Sequence, residues 1–274
     1  MRVLVVIPSY NEERALPAVL EELRQAARAL PHQIEALVVD DGSRDGTAAV
    51  ARAHGARVIS LCSNLGIGGA VQTGLRVAYA EGFDCAAQVD GDGQHICADL
   101  GAMLERLAAH PPPDLLVGSR FLRGDGFQST PLRRAGKVWL SGVLRLFCGL
   151  TVSDPTSGFR LFGPRALALF HSAFPFDFPE PEVLATARAC GLSIAEVPVT
   201  MRERQSGRSS IRGLLTAYYL LKVTAAIILD LLRARRQVRA LETSWTRSSA
   251  ATGSSLSSAS ASPPPSSASS RGST

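Results

Sequence analysis

Two aspartates separated by one glycine close an apolar run in Val89–His95, VDGDGQH. In an extended segment, residues i and i+2 point to the same side. Asp90 and Asp92 would therefore aim two carboxylates at one spot, where they repel unless a positive charge sits between them. A divalent cation satisfies that requirement. Carboxylate oxygens, with Gln94 as a neutral oxygen ligand, suit a hard ion such as Mg2+ or Mn2+. An ion held by so few protein oxygens completes its shell with water and phosphate, which points to a nucleoside diphosphate. The competing reading is a polar turn, because Asp-Gly is a common turn pair. His95 reads as a supporting or structural residue rather than a zinc ligand.

Other residues of the same chemical kind recur along the chain. Asp40 and Asp41 end an apolar run in VVDDGSRDGT, where a carboxylate can accept from a ribose hydroxyl or a base N–H. Asp45 in the same stretch suits the cap of a following helix. NLGIGGA, Asn64–Ala70, could expose backbone N–H groups to phosphate. Its glycines do not make G-x-G-x-x-G, since Val71 holds the third glycine position. Arginine occurs in GSRF (Arg120), SGFR (Arg160) and MRERQSGRSS (Arg202, Arg204, Arg208), and arginine suits bidentate contact with phosphate. The chain has no G-x-S-x-G elbow, P-loop or H-E-x-x-H, so the corresponding hydrolase and nucleotidase readings lack their residues.

These residues need a frame to hold them. The first third of the chain alternates strand and helix patterns: strands at Arg2–Pro8, Ile34–Asp41, Ala56–Leu61 and Phe83–Asp90, and helices after each of the first three. Leu16, Val19, Leu20, Leu23, Ala27 and Leu30 mark one helical face, with Pro17 in its first turn. Such alternation predicts an α/β fold with a mostly parallel sheet between helices, and ligands bind beyond the carboxyl ends of such strands. Further on we expect strands at Asp114–Phe121 and Leu192–Met201, and helices over 132–150 and Pro181–Ala189.

Of the 274 residues, 46% are apolar, enough for a sizeable core, and the net charge is +5. That charge suits an anionic small molecule or lipid surface. Scattered arginines with few aromatics among them do not form a nucleic-acid surface. Five cysteines without a C-x-x-C fit neither a disulfide framework nor a zinc ribbon, so reduced thiols in the cytoplasm are expected. MRVLVVIPSYNEE has too short an apolar run for a signal peptide.

Taken together, IPSYNE, DDGSRDGT, NLGIGGA, DGDGQH, GSR, DPTSGFR and EVPV…R…GRSS occur in the order found in family 2 glycosyltransferases. The chain most resembles their polyprenyl-phosphate branch, the dolichol-phosphate mannosyltransferase-like enzymes, over about residues 2–232. The resemblance implies a GT-A type fold and a metal-dependent, inverting transfer of a hexose from a GDP- or UDP-linked sugar to polyprenyl phosphate. It implies that Pro8, Tyr10 and Glu12 line the nucleoside pocket and Asp41 holds the base. Asp90, Asp92 and Gln94 match the metal-binding segment, holding the cation against the donor diphosphate. Arg120 and Arg204 would grip phosphates, and Arg133 and Lys137 would receive the acceptor phosphate. Asp154 matches an acidic residue near the sugar and is the first candidate for a base if the acceptor is a neutral hydroxyl. A hydroxyl acceptor in envelope polysaccharide or glycolipid synthesis, and a non-catalytic nucleotide-sugar-binding subunit, are the other readings; the intact aspartate pair argues against the last.

Three segments are expected: a GT-A domain over 1–212, an apolar helix over 213–240, and a disordered Ser/Ala/Pro-rich tail over 241–274. Leu214–Leu232 has 19 residues, near the lower limit for a membrane span, but carries Lys222 and Asp230. Basic residues flank it on both sides, which places both ends in the cytoplasm. That fits a helix lying on the inner face of the membrane or docked on a small membrane protein; a core-packed helix is the alternative. Family members often carry spanning helices after the catalytic domain, where this chain has its polar tail.

Overall fold

The computed structural model describes residues 1–122, 131–176, 178–202 and 220–229. Strand β1 (Arg2–Ser9) is buried on both faces from Val3 onward, as its β-branched run requires. Helix α1 (Leu16–Ala29) follows with Pro17 in its first turn and lays Leu16, Val19, Leu20 and Leu23 on the sheet. Then come β2 (Gln33–Asp40), α2 (Thr47–Ala53), β3 (Arg57–Ser60), α3 (Gly66–Ala80) and β4 (Cys85–Gln88). The expected alternation is present, with bounds shifted by a residue or two; β4 ends at Gln88, so Asp90 and Asp92 lie in the loop and turn after it and not in an extended segment as expected.

The second half adds α4 (Leu100–Ala108), β5 (Leu115–Ser119), α5 (Pro131–Cys148), β6 (Arg160–Phe162), α6 (Pro164–Phe170), α7 (Pro179–Ala189) and β7 (Ile194–Pro198). A short 3-10 turn at Cys97–Asp99 precedes α4. The sheet order is β3-β2-β1-β4-β6-β5-β7. All neighbouring pairs are parallel except those of β6, which runs against both β4 and β5. Elements α4, β6 and α6 were not among those expected from the sequence. Strand β6 has only three residues and begins with an arginine, so it shows no strand alternation.

Apolar side chains fill both faces of the sheet. One layer holds Leu4, Val6, Leu37 and Val39 under α3, α5, α6 and α7. The other holds Val3, Val5, Ile7 and Val38 under α1 and α4. Helix α3 approaches β1 closely because position 74 is glycine: a Cβ there would collide with the Val6 side chain. Residues 220–229 are helical, and their Val223 and Ile227 join the first layer. The remainder of the expected 213–240 helix, and the 241–274 tail, lie outside the described residues.

The chain order reverses at β1, since β2 lies on one side of it and β4 on the other. Such a switch point leaves a crevice at the carboxyl ends of the strands. We predict that Gly74→Ala lowers stability by about 1–3 kcal/mol through overpacking against the rigid Val6. Urea denaturation monitored by circular dichroism measures it.

Candidate active site

A cavity of about 340 Å3 opens at this crevice, lined by Pro8, Ser9, Tyr10, Glu12, Asp41, Ile67, Ala70, Asp90, Gly91 and Asp92. The end of β1, the residue after β2, the start of α3 and the loop after β4 each contribute. The mouth is built from two loops tied together. Asn11, with a left-handed φ of 55°, donates its N–H to Ser43 Oγ and accepts from the Arg44 N–H. The Glu12 N–H donates to Thr47 Oγ1, and the Glu13 carboxylate accepts from the Gly46 N–H. Asp45 was expected to cap α2, but the N-cap position is Gly46 and no side chain caps it; Asp45 sits one residue earlier and accepts from the Thr47 N–H at 3.0 Å. Tyr10 stands at this rim, 43% exposed, where a flat ring can stack on it.

Asp90 is held from the protein side. Its Oδ1 accepts from Gln88 Nε2 and its Oδ2 contacts His95 Nε2, each at 3.2 Å. Gly158 lies directly against this carboxylate, where a Cβ would collide with it. Burial alone would raise the Asp90 pKa. The bond to His95 and its charge, the bond from Gln88 and the nearby charge of Arg160 more than offset that, so Asp90 lies below the usual carboxylate range and is ionised. Asp92 lines the same cavity, and its Oδ1 accepts from the Gln94 N–H at 3.1 Å. The Gln94 amide points its Nε2 to the Arg202 carbonyl at 3.3 Å, and Gln94 is not part of the cavity lining. Two carboxylates facing one cavity form an oxygen donor set that fits a hard divalent ion. No group of three or more His, Cys, Asp and Glu residues placed to hold a metal ion occurs among the described residues, so an ion here would draw on Asp90 and Asp92.

Asp41 has a task that its sequence position did not reveal. Its two oxygens accept from the Leu65 and Gly66 N–H groups at 2.7 and 2.8 Å, tying the glycine-rich loop and the start of α3 to the end of β2. Burial raises its pKa, partly countered by these two bonds, and neighbouring Asp40 adds to the rise. A carboxylate has about four lone-pair sites, so a base N–H remains within its capacity.

Arg120 and Asp154, expected to serve separately, form one unit. Arg120 Nε and Nη2 grip Asp154 Oδ2 and Oδ1 at 2.6 and 2.7 Å, and Nη2 also reaches Thr156 at 2.9 Å. Asp154 is wholly buried, so here it orients Arg120 and is not available as a free base. Glu196 on β7 fixes the backbone beneath, accepting from the N–H groups of Ser153 and Asp154. The Lys137 ammonium sits 3.9 Å from the centroid of the Phe121 ring, whose neighbour is Arg120. Of Arg133 only the backbone position in α5 is described, and Arg204 lies outside the described residues. Arg160 is fully buried: it donates to the carbonyls of Ser157 and Pro179 at 3.1 and 3.2 Å, and also to that of Glu180. Burial lowers its pKa to about 10. It ties β6 to the first turn of α7, a role that SGFR alone did not disclose.

Known proteins resemble this chain in sequence and fold. The profile of Glycosyl transferase family 2 matches residues 4–168. Undecaprenyl-phosphate mannosyltransferase of Micrococcus luteus is 32% identical over 234 residues, covering 82% of this chain and 93% of that protein. Polyprenol monophosphomannose synthase of Mycolicibacterium smegmatis is 32% identical, covering 77% of this chain and 82% of that one. Among solved structures, glucosyl-3-phosphoglycerate synthase from Mycobacterium tuberculosis, in complex with Mn2+, uridine diphosphate and phosphoglyceric acid, superposes with a TM-score of 0.62 at 22% identity, covering 85% of this chain and 78% of its own.

Removing one partner of a buried ion pair strands the other. Asp154→Leu and Arg120→Met should each cost roughly 3–5 kcal/mol. The double variant Arg120→Met/Asp154→Leu should lose clearly less than the sum, as urea denaturation of all four proteins would measure.

Proposed function

The chain belongs to glycosyl transferase family 2 and is a glycosyltransferase of GT-A fold, and on that premise we propose that it moves a hexose from a GDP- or UDP-linked sugar to polyprenyl phosphate. In this reading an acceptor phosphate oxygen attacks the anomeric carbon from the face opposite the donor diphosphate. The bond to the diphosphate breaks, and the configuration inverts. The two relatives at 32% identity, whose names specify undecaprenyl-phosphate and polyprenol substrates, support this acceptor class.

The Arg120–Asp154 pair carries the choice of acceptor. A neutral hydroxyl needs a base to take its proton, and the candidate base is buried and committed to a guanidinium. A phosphate monoester is already an anionic nucleophile and needs no such help. Arg120, Arg133 and Lys137 would receive it. Tyr10, Pro8 and Glu12 would hold the nucleoside, with Asp41 at the base and Arg204 at the donor phosphates. Asp90 and Asp92, with Gln94 beside them, would hold Mg2+ or Mn2+, which when bound neutralises charge on the departing diphosphate.

The acceptor's lipid tail requires a surface to lie on, which we assign to the cytoplasmic face of the membrane or a small protein within it. Helix α5 exposes Val138, Trp139, Leu146 and Phe147, and the 220–229 helix exposes Leu221 and Leu229. The Trp139 indole N–H donates to Thr224 at 3.1 Å and links the two. Exposed apolar side chains beside Lys137 and Arg145 are the pattern of a helix lying in the membrane interface. Among the described residues, no helix is long and apolar enough to cross a membrane.

Purified protein mixed with labelled UDP- and GDP-sugars, Mg2+ or Mn2+, and short-chain polyprenyl phosphate should move label into the organic phase, and EDTA should stop it. Donor binding without such product would favour a hydroxyl acceptor; no donor binding would favour a non-catalytic subunit. Asp92→Asn should abolish transfer while leaving the fold intact, and near-normal turnover would remove the metal assignment. Leu146→Glu should weaken sedimentation with anionic vesicles by about tenfold or more, since burying one leucine side chain contributes about 1.5–3 kcal/mol.

A further inference from the structure

His95 belongs to the acidic loop but does not line the cavity. It is 2% exposed, and its ring packs against Phe159 with centroids 5.2 Å apart. Among the described residues its Nδ1 is buried with no hydrogen-bond partner. Leaving a buried polar atom unpaired is costly, so satisfying the ring's own nitrogens does not account for this placement. What the placement achieves is at the other nitrogen, where Nε2 meets Asp90 Oδ2 at 3.2 Å. An ionised carboxylate can only accept, so Nε2 carries a hydrogen and donates it.

The ring is held in place by the backbone as well as by packing. His95 forms an isolated antiparallel bridge with Met201, and beside it the Arg202 N–H donates to the Gln94 carbonyl at 2.8 Å. On the far side of Asp90, Gln88 donates to Oδ1. Gly158 closes a third side. The Asp90 side chain keeps 25% of its surface exposed, and Asp90 lines the cavity.

We propose that His95 is a positioning residue: its Nε2–H fixes the Asp90 carboxylate so that the remaining lone pairs face the cavity in one orientation. The inference rests on the reading of Asp90 and Asp92 as the divalent-cation site.

The test is Mn2+ binding to the full-length protein, followed by electron paramagnetic resonance with Mn2+ alone and then with UDP or GDP added. His95→Met should weaken Mn2+ binding by roughly 10- to 100-fold, the usual effect of losing a partner of a metal ligand. His95→Gln, which can place an amide N–H near the same point, should recover most of that loss. Unchanged binding in His95→Met, or equal losses in both variants, would overturn the inference and leave the cation site standing. No Mn2+ binding by the wild-type protein under any of these conditions would overturn both. If His95→Met does not fold, nitrogen NMR of the wild-type ring decides: the Nε2–H tautomer, responding to Mg2+, is expected, and the Nδ1–H tautomer would overturn the assignment.

Discussion

Four carboxylates stand at the carboxyl edge of two strands that flank β1, and each is held by a hydrogen-bond donor. Asp40 accepts from the Ser43 N–H, Asp41 from Leu65 and Gly66, Asp90 from Gln88 and His95, and Asp92 from Gln94. Like charges on one edge would otherwise disfavour the folded chain or take up protons. The loops that carry these residues are therefore shaped by the need to deliver N–H groups. The glycine-rich start of α3 meets that need at Asp41. The cavity exists because the same loops, bent toward the carboxylates, leave a space at the switch point.

The second half of the chain completes the site through one reversed strand. By running against its neighbours, β6 carries Gly158 up to Asp90 and sets Arg160 in register with Gln88 on β4 and Val117 on β5. The Arg120–Asp154 pair then stands beyond β5 on the same side of the sheet as the acidic edge. Donor-facing and acceptor-facing groups thus share a rigid backing. A family 2 glycosyltransferase of this kind needs no domain closure simply to bring its charged groups onto one sheet edge.

Much of the frame was legible in the sequence because buried strands announce themselves by β-branched runs and α1 by its apolar face. The acidic edge could be located because its aspartates end such runs, although a polar turn explained each of them equally well until the cavity they line was seen. What escaped depends on distance along the chain. Nothing local marks Arg120 as the partner of Asp154, 34 residues away. Nothing in DGSR marks Asp41 as the anchor of a loop beginning 24 residues later. Strand β6 and helix α6 are too short to show a period, and Gly158 reads as a turn residue until the carboxylate beside it is seen. The last strand was expected to run to Met201, yet it ends at Pro198, and Met201 instead pairs with His95.

That pairing has a consequence for the order of events during synthesis. Gln94 and Arg202 hold one another across 108 residues, and the Arg202 guanidinium reaches back to Glu22 on α1, which also accepts from the Cys97 N–H. A ribosome adds about 5–20 residues each second. The strands that flank the cavity leave it several seconds before residue 202 does. The acidic loop therefore acquires its outer tether late, and a chain cut short before that point would keep the aspartates but lack the strap that holds their loop to α1.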